Sequence, residues 1–546
     1  MEDWINQLHF GDNLKALKES IPDESVDLIY LDPPFNSNAT YNVLFKERSG
    51  ENSTAQITAF EDAWRWGRES EIAYRDLITG KETKLSFLMQ AFRHFLGRND
   101  MLAYLVMMAP RLVELHRVLK PTGSLFLHCD QTASHLIKLL LDAIFGGENF
   151  QNEIIWQKIR VEKAQSKRYP KLHDSIFFYS KSKNFKFYHQ RLKPSEEYLK
   201  RFNLIEEETG RQYLLVNFFQ GGQGPARRFG SQLISPPKGK HWIWGQARID
   251  EAYEAGRFVF TASDKPRLKR YLDEHLGRIV GNIWTDIYPI NPAAKERLGF
   301  PTQKPIALLT RIINSASDEN DIVLDPFCGC GSTVVAAEKL NRRWIGIDIT
   351  HLSITLIKNR LREDFKQKLK PFKVYGIPRD KSSAEALALE NRHQFEWWAV
   401  DLVDARPAQD KRRGPDSGVD GVIFFIDDDS GIAKKIVVQV KSGDVSVQQI
   451  RDLRGVMERE DAVIGVFITL KQPSRQMRVE ALAVGLYVPE HYPQYKCPRL
   501  QIFTIEELLS GKKLEYPSVA PQNTFDRPTV QNIKKRKLNP GSLILI

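Results

Sequence analysis

Cysteine is scarce, with four in 546 residues: Cys129, Cys328, Cys330 and Cys497. They form no CxxC pair and no Cys/His cluster with zinc spacing, which argues against a disulfide framework and a zinc site. Long apolar runs are missing as well, and no stretch approaches the ~20 residues that a membrane-spanning helix requires. The N-terminus, MEDWINQLHFGDN, lacks the basic-then-apolar layout of a secretion signal, so a cytoplasmic location without a membrane partner is expected. No repeat at solenoid period is visible. What is present is an ordinary globular composition, 42% hydrophobic and 27% charged, which excludes wholesale disorder. The formal charge of +11 and pI near 9.2 suit a polyanionic partner, although many basic soluble proteins bind none.

The length allows about three domains at ~150 residues each. VDLIYL, residues 26–31, is a β-rich apolar run stopped by Asp-Pro-Pro, and reads as a buried strand. Residues 101–120 have helical periodicity, and Lys120-Pro121-Thr122-Gly123 turns the chain into the strand SLFLHC. A second helix runs from Thr132 to Ile144. From about 150 to 285 the chain becomes basic, aromatic and loop-rich. Helix and strand alternate again from Pro305, through IALLTRIINSA, DIVLD, STVVAAEKL and RWIGIDI, which predicts a parallel sheet. Residues 366–385 read as a linker, 386–512 as a second α/β domain and 513–546 as a basic tail holding Lys534-Lys535-Arg536-Lys537.

Strand DIVLD runs into Asp325-Pro326-Phe327-Cys328-Gly329-Cys330-Gly331-Ser332-Thr333, which opens a helix. Glycines at such a turn let a ligand approach the backbone, and a helix N-terminus favours negative charge. Gly329-x-Gly331 departs from the dinucleotide fingerprint because no third glycine follows, and a glycine pair alone also suits a plain structural turn. The next strand ends in Asp348, where a carboxylate can accept from both hydroxyls of a ribose.

Asp32-Pro33-Pro34-Phe35 follows the other strand at its C-terminal end, where ligands of open α/β sheets bind. An exocyclic base amine is a poor nucleophile because its lone pair is delocalised into the ring. A carboxylate that accepts from the amine, helped by a proline carbonyl, favours the attacking form, and Phe35 offers a face for an extruded base. In isolation the same four residues would also make an unremarked surface turn.

Together the two elements resemble the amino-methyltransferases of DNA. Their order is Asp-Pro-Pro-Phe, then a variable basic region, then Pro301-Thr302-Gln303-Lys304-Pro305 and the DPFCGCGST turn, and it resembles the β class of that family. The resemblance covers about residues 8–362. It implies a Rossmann-like α/β sheet dependent on S-adenosylmethionine, formed by residues 1–150 and 286–365, with a target-recognition region at 151–285. It also implies that Gly11-Asp12 contacts the cofactor adenine and that Thr302 and Lys304 lie beside its methionine portion. The candidate cofactor-binding residues are thus Asp12, Thr302, Lys304, Asp325, Phe327, Gly329, Gly331 and Asp348, and the candidate catalytic residues are Asp32, Pro33, Pro34 and Phe35. Cys328 and Cys330 stand at turn positions where small residues are usual, and cysteine is small enough to fit.

Within 151–285, Lys158, Arg160, Lys163, Lys167 and Arg168 interleave with Trp156 and Tyr169, and Arg227-Arg228 and Lys238-Gly239-Lys240-His241-Trp242 repeat the theme. Cations for phosphates and aromatics for unstacked bases suit DNA, and a solvated charged face over core aromatics would look alike. For His128 and Asp130 a structural role is expected.

In the strand IVVQVK, Gln439 and Lys441 share a face with Val437. With Asp420 on the neighbouring strand they resemble the Mrr-like branch of the PD-(D/E)xK nucleases, over about residues 390–510. That resemblance implies Mg²⁺ held by Asp420 and Gln439, with Glu396 as a further ligand, and a water oriented or activated by Lys441. A nuclease fold kept only to bind DNA, or a strand with a snorkelling lysine, fits the same residues.

The leading expectation is a restriction-modification or defence enzyme that methylates a flipped base, with a Mg²⁺-dependent nuclease domain. Adenine N6 is favoured over cytosine N4 because Asp-Pro-Pro is more typical of adenine enzymes in that family. Action on RNA or a protein amine is a third reading. Double-stranded DNA is the expected partner, with a homodimer as an option.

Overall fold

The computed structural model describes residues 4–34, 39–46, 52–62, 65–79, 83–159, 169–262, 264–275, 277–291, 293–294, 296–298, 300, 302–408, 418–427, 433–490, 492–518 and 544–545. Phe35, Arg160, Lys163, Lys167, Arg168, Pro301 and the Lys534–Lys537 run lie outside the described residues.

Nine strands make the principal sheet: β1 (Asn6–Phe10), β2 (Val26–Leu31), β3 (Leu119–Cys129), β4 (Phe150–Gln157), β5 (His173–Ser180), β6 (Ile283–Trp284), β7 (Ile322–Asp325), β8 (Arg343–Asp348) and β9 (Phe372–Tyr375). Their spatial order is β6-β4-β5-β3-β2-β7-β8-β1-β9. All pairings are parallel except those made by β5, so this is the expected Rossmann-like α/β sheet carrying one reversed strand. Every residue of β2 and β7 is buried, as continuous apolar runs covered on both faces should be. One core cluster joins Ile29, Leu31, Leu125, Leu127, Leu324 and Ile347 to Leu105 and Leu112 of the helix Asp100–Val118. Each such side chain, fully buried, contributes about 2 kcal/mol.

Register decides where the chemistry falls. β2 and β7 run parallel with Val323 beside Leu28 and Leu324 beside Ile29. Asp325 and Asp32 therefore both leave the sheet at its C-terminal edge. The Lys120–Gly123 turn is absorbed into β3 as an irregularity: Val26 pairs with Leu119, but Leu28 already pairs with Ser124.

Two expected boundaries shift. Residues 151–157 and 173–180, expected in the recognition region, belong to β4 and β5 of the sheet, and the separate unit is His189–Gly281. The expected 366–385 linker contributes β9 and the start of the helix Lys381–Glu390. The four-residue edge strand β9 reads like a loop because the strand that pairs with it, β1, is distant in sequence.

Within the separate unit a four-stranded antiparallel sheet runs Phe258–Phe260, Pro266–Tyr271, Gln212–Asn217, Leu204–Ile205. Phe218, Phe229, Trp242 and Ile249 form its core. The C-terminal domain has a five-stranded sheet, Arg406–Pro407, Gly421–Phe425, Lys434–Lys441, Ile464–Thr469, Leu500–Thr504. Among the described residues no helix is long and apolar enough to cross a membrane.

Candidate active site

A cavity of about 290 Å³ opens at the C-terminal edge of β2, β7 and β8. It is lined by Asp12, Asp32, Pro33, Pro34, Thr302, Lys304, Asp325, Phe327, Gly329 and Asp348, all of them candidates from the sequence. Residues from the first 34 positions and from beyond position 300 thus meet in one place.

At one side, the Lys304 ammonium donates to Asp32 Oδ2. Asp32 Oδ1 is buried and accepts no hydrogen bond. A buried carboxylate oxygen without a donor is costly unless a ligand supplies one. At the other side, Gly329 and Gly331 adopt φ of +49° and +75°, a region that disfavours side chains. The Gly329 amide donates to Asp348 Oδ2 at 2.9 Å, and Thr350 donates to Asp348 Oδ1 through its amide at 2.9 Å and its hydroxyl at 2.8 Å. The acidic strand end is thereby locked to the glycine turn. Gly331 does not line the cavity. It caps the helix Ser332–Lys339, and a Cβ there would lie 2.6 Å from Ile357 Cγ1, so its role is close packing.

Burial pushes the Asp325 carboxyl up to about 7; hydrogen bonds from Thr333 and the Phe327 amide oppose the shift, and the Asp32 and Asp348 charges add to it. Burial raises Asp348 too, against its hydrogen bonds from Thr350 and Gly329.

Several lining residues escaped the sequence reading. Arg111 bonds Asp12 Oδ2 at 2.8 Å and Asn13 Oδ1 at 2.6 Å, and Asn13 Nδ2 donates to the Pro326 carbonyl at 2.8 Å. Asp12 also caps the helix Asn13–Ser20. No local signal marked Arg111, because its helix also carries Glu114, His116 and Arg117. Tyr30, also lining the cavity, shares a 3.1 Å hydrogen bond with His128 Nδ1, and His128 Nε2 lies 3.1 Å from Asp174 Oδ2. Burial would raise the Asp174 carboxyl, but His128 and then Lys158, 2.5 Å away, hold it down at about 2. His128 is fully buried, in keeping with a structural role.

Of the expected DNA contacts, Lys158 is engaged by Asp174, and Trp156 is buried with Nε1 donating to the Ile287 carbonyl at 3.0 Å. Trp242 is a core residue, with Nε1 donating to Ile234 O at 3.1 Å. Tyr169, Arg228, Lys238 and Lys240 are exposed.

In the C-terminal domain Asp420, Gln439 and Lys441 come together at one sheet. Asp420 Oδ2 accepts the Val440 amide at 2.7 Å, and Gln439 Oε1 is buried without a donor. Glu396 bonds Arg392 at 2.9 Å and His393 at 3.2 Å. Among the described residues no three His, Cys, Asp or Glu side chains converge. With one carboxylate and one neutral amide and no such cluster among the described residues, nothing observed supports the expected Mg²⁺ site.

A parallel-rich sheet whose glycine turn and acidic strand ends enclose one cavity is the Rossmann-like arrangement of S-adenosylmethionine-dependent methyltransferases. Residues 26–359 match the N6/N4 methyltransferase family model described as DNA methylase, and the chain belongs to that family. Residues 392–510 are similar to a family described as NACHT-associated inactive restriction endonuclease 1. The Type II methyltransferase M.EcaI of Enterobacter cloacae is 30% identical over 296 residues, 52% of this chain and 65% of that one. The Type III restriction-modification enzyme StyLTI Mod subunit of Salmonella typhimurium is 27% identical over 356 residues, 61% of this chain and 49% of that one. The DNA adenine methyltransferase YhdJ of Escherichia coli is 25% identical over 352 residues, 64% and 81% respectively. The chain spans less than two thirds of the first two relatives.

Proposed function

We propose that the chain transfers a methyl group from S-adenosylmethionine to the exocyclic amine of a base flipped out of double-stranded DNA, and that the amine is adenine N6. The observation that carries this reading is the buried, unpartnered Asp32 Oδ1 in the same cavity as the glycine turn and Asp348. The cavity fits the cofactor chemically: Asp348 suits ribose hydroxyls, Asp12 the adenine, and Thr302 and Lys304 the amino-acid end. When bound, S-adenosylmethionine supplies a methyl group carried on a sulfonium.

Asp32 does the work on the base. Its Oδ1 accepts an N–H of the amine and keeps the nitrogen lone pair out of conjugation, while Lys304 compensates the charge at Oδ2. Pro33 and Pro34 fix the turn that aims the carboxylate, and Phe35 would stack on the extruded ring. The adenine preference rests on the Asp-Pro-Pro residues, and one relative is named a DNA adenine methyltransferase. His189–Gly281, with its exposed Arg228, Lys238 and Lys240, is the part that reads the DNA. A role in restriction-modification is part of this reading, supported by a relative named a Type III restriction-modification enzyme subunit.

A second reading concerns the C-terminal domain, which binds DNA without cutting it. The Asp420 carboxylate tied to the Val440 amide favours this over cleavage, as does the likeness to an inactive endonuclease family.

Labelled S-adenosylmethionine with duplex DNA tests the first reading. Wild type should incorporate label and Asp32→Ala should not, while nucleoside mass spectrometry should find N6-methyladenine. Label surviving in Asp32→Ala, or N4-methylcytosine alone, would refute the site or the base assignment respectively.

A further inference from the structure

The helix Arg392–Asp401 belongs to the endonuclease-like C-terminal domain, yet it packs on the wall of the methyltransferase cavity. Three contacts show where. Gln394 Oε1 accepts the His351 amide at 2.8 Å. Trp397 packs on the cluster of Phe300, Cys330 and Leu352, of which Phe300 and Cys330 line the cavity. Asp401 Oδ2 accepts from Lys358 Nζ at 2.7 Å.

The position of the first contact gives it meaning. His351 opens the helix His351–Phe365, so its amide has no partner within that helix and must find one elsewhere. Thr350, the preceding residue, caps the helix and holds Asp348 Oδ1. Thr350 is also tied to Ser353 by a 2.8 Å hydroxyl–hydroxyl bond. A glutamine from the C-terminal domain therefore completes the turn that fixes the acidic end of the cofactor site. Trp397 packs on the cluster that holds Cys330, the residue between the two glycines of the turn. The two contacts thus reach residues close in sequence to both partners of the Gly329–Asp348 hydrogen bond, His351 after Asp348 and Cys330 after Gly329.

We propose that Gln394 and Trp397 are positioning residues for the cofactor end of the cavity, so that the C-terminal domain sets the affinity of the methyltransferase domain for S-adenosylmethionine. This rests on the cavity being the S-adenosylmethionine site. It gives a domain without cleavage a direct part in methylation.

The test uses full-length protein, titration calorimetry with S-adenosylmethionine, and amide hydrogen exchange at His351. Gln394→Ala is expected to weaken binding about 10-fold, the effect of one lost buried hydrogen bond. His351 exchange should quicken, and KM for the cofactor should rise with kcat unchanged. Gln394→Glu keeps an acceptor at a helix N-terminus and is expected to bind within about 2-fold of wild type. Trp397→Leu should weaken binding as well. All three variants must keep the wild-type far-ultraviolet circular dichroism, and Gln394, half-buried on the helix surface, is chosen for that reason. Accelerated His351 exchange in Gln394→Ala with unchanged affinity would overturn the proposal, as would equal weakening in Gln394→Ala and Gln394→Glu. If wild type bound no S-adenosylmethionine, the reading of the cavity would fail, while the exchange arm would still report whether Gln394 holds the turn.

Discussion

Lys304 Nζ donates to Asp32 Oδ2 across 272 positions of sequence, and this ion pair joins the two halves of the methyltransferase domain at the cavity. Both side chains are nearly buried, at 11% and 13% exposure, so removing Lys304 strips the Asp32 carboxylate of this compensation. Lys304→Met is expected to cost about 3 kcal/mol, near the lower end for a broken buried pair. Adding Asp32→Asn should recover most of that loss, because the stranded charge goes with it. Thermal melting of the two singles and the double closes the cycle. Losses that simply add would show that the pair does not couple.

The two glycines of the turn should respond differently to alanine. At Gly331, φ is +75° and a Cβ would lie 2.6 Å from Ile357 Cγ1; at Gly329, φ is +49° and the nearest atom, Phe300 Cε1, is 3.4 Å away. Gly331→Ala carries backbone strain and a clash, about 2–3 kcal/mol together, while Gly329→Ala carries the strain of about 1 kcal/mol alone. Ile357→Ala added to Gly331→Ala should remove the clash and leave the strain. Denaturation midpoints that fall equally for the two alanine variants would contradict this assignment of roles.

Asp325 makes stability depend on pH in a definite direction. Burial, the first cause, lifts its folded carboxyl to about 7, above the ordinary value of 3.8. The native state therefore keeps a proton that the unfolded chain has released, and folding takes one up between these values. The group's stabilising share is full below 3.8 and is lost as pH rises through about 7. Asp325→Asn carries no charge at any pH, so the fall in stability from pH 4 to 8 should be shallower by about 2–4 kcal/mol. Unfolding curves at pH 5 and pH 8 measure it. Identical pH slopes for wild type and Asp325→Asn would discard the account.

What the sequence made legible was local. VDLIYL, DIVLD and RWIGIDI are continuous apolar runs with an acid at or just past the end, and their parallel pairing puts Asp32, Asp325 and Asp348 at one edge without further information. What it hid depends on distant partners. FQNEIIWQ and HDSIFFYS read as part of a loop-rich region because their burial comes from each other and from β3. Arg111 looks like a surface arginine until the fold sets Asp12 and Asn13 beside it. Gln394 carries no sequence signal at all, since its partner is a backbone amide that only the domain packing brings within reach.

The C-terminal domain allows the sharpest contrast between the chemistry expected from sequence and the one favoured by geometry. Asp420 precedes one strand of the sheet, and Gln439 and Lys441 lie on its neighbour. But Asp420 spends one carboxylate oxygen on the Val440 amide, Gln439 is neutral, and Glu396 is held by Arg392 and His393. A divalent ion there would meet a single carboxylate beside a neutral amide, so it should be held weakly. Supercoiled plasmid incubated with the full-length protein and Mg²⁺ should therefore stay intact, with wild type and Lys441→Ala alike. Lys441 should instead act as a phosphate contact, so Lys441→Ala lowers duplex affinity by a few-fold and reduces the slope of log affinity against log salt by about 1. Nicking by wild type that Lys441→Ala lacks would reverse this conclusion and restore a nuclease to the chain.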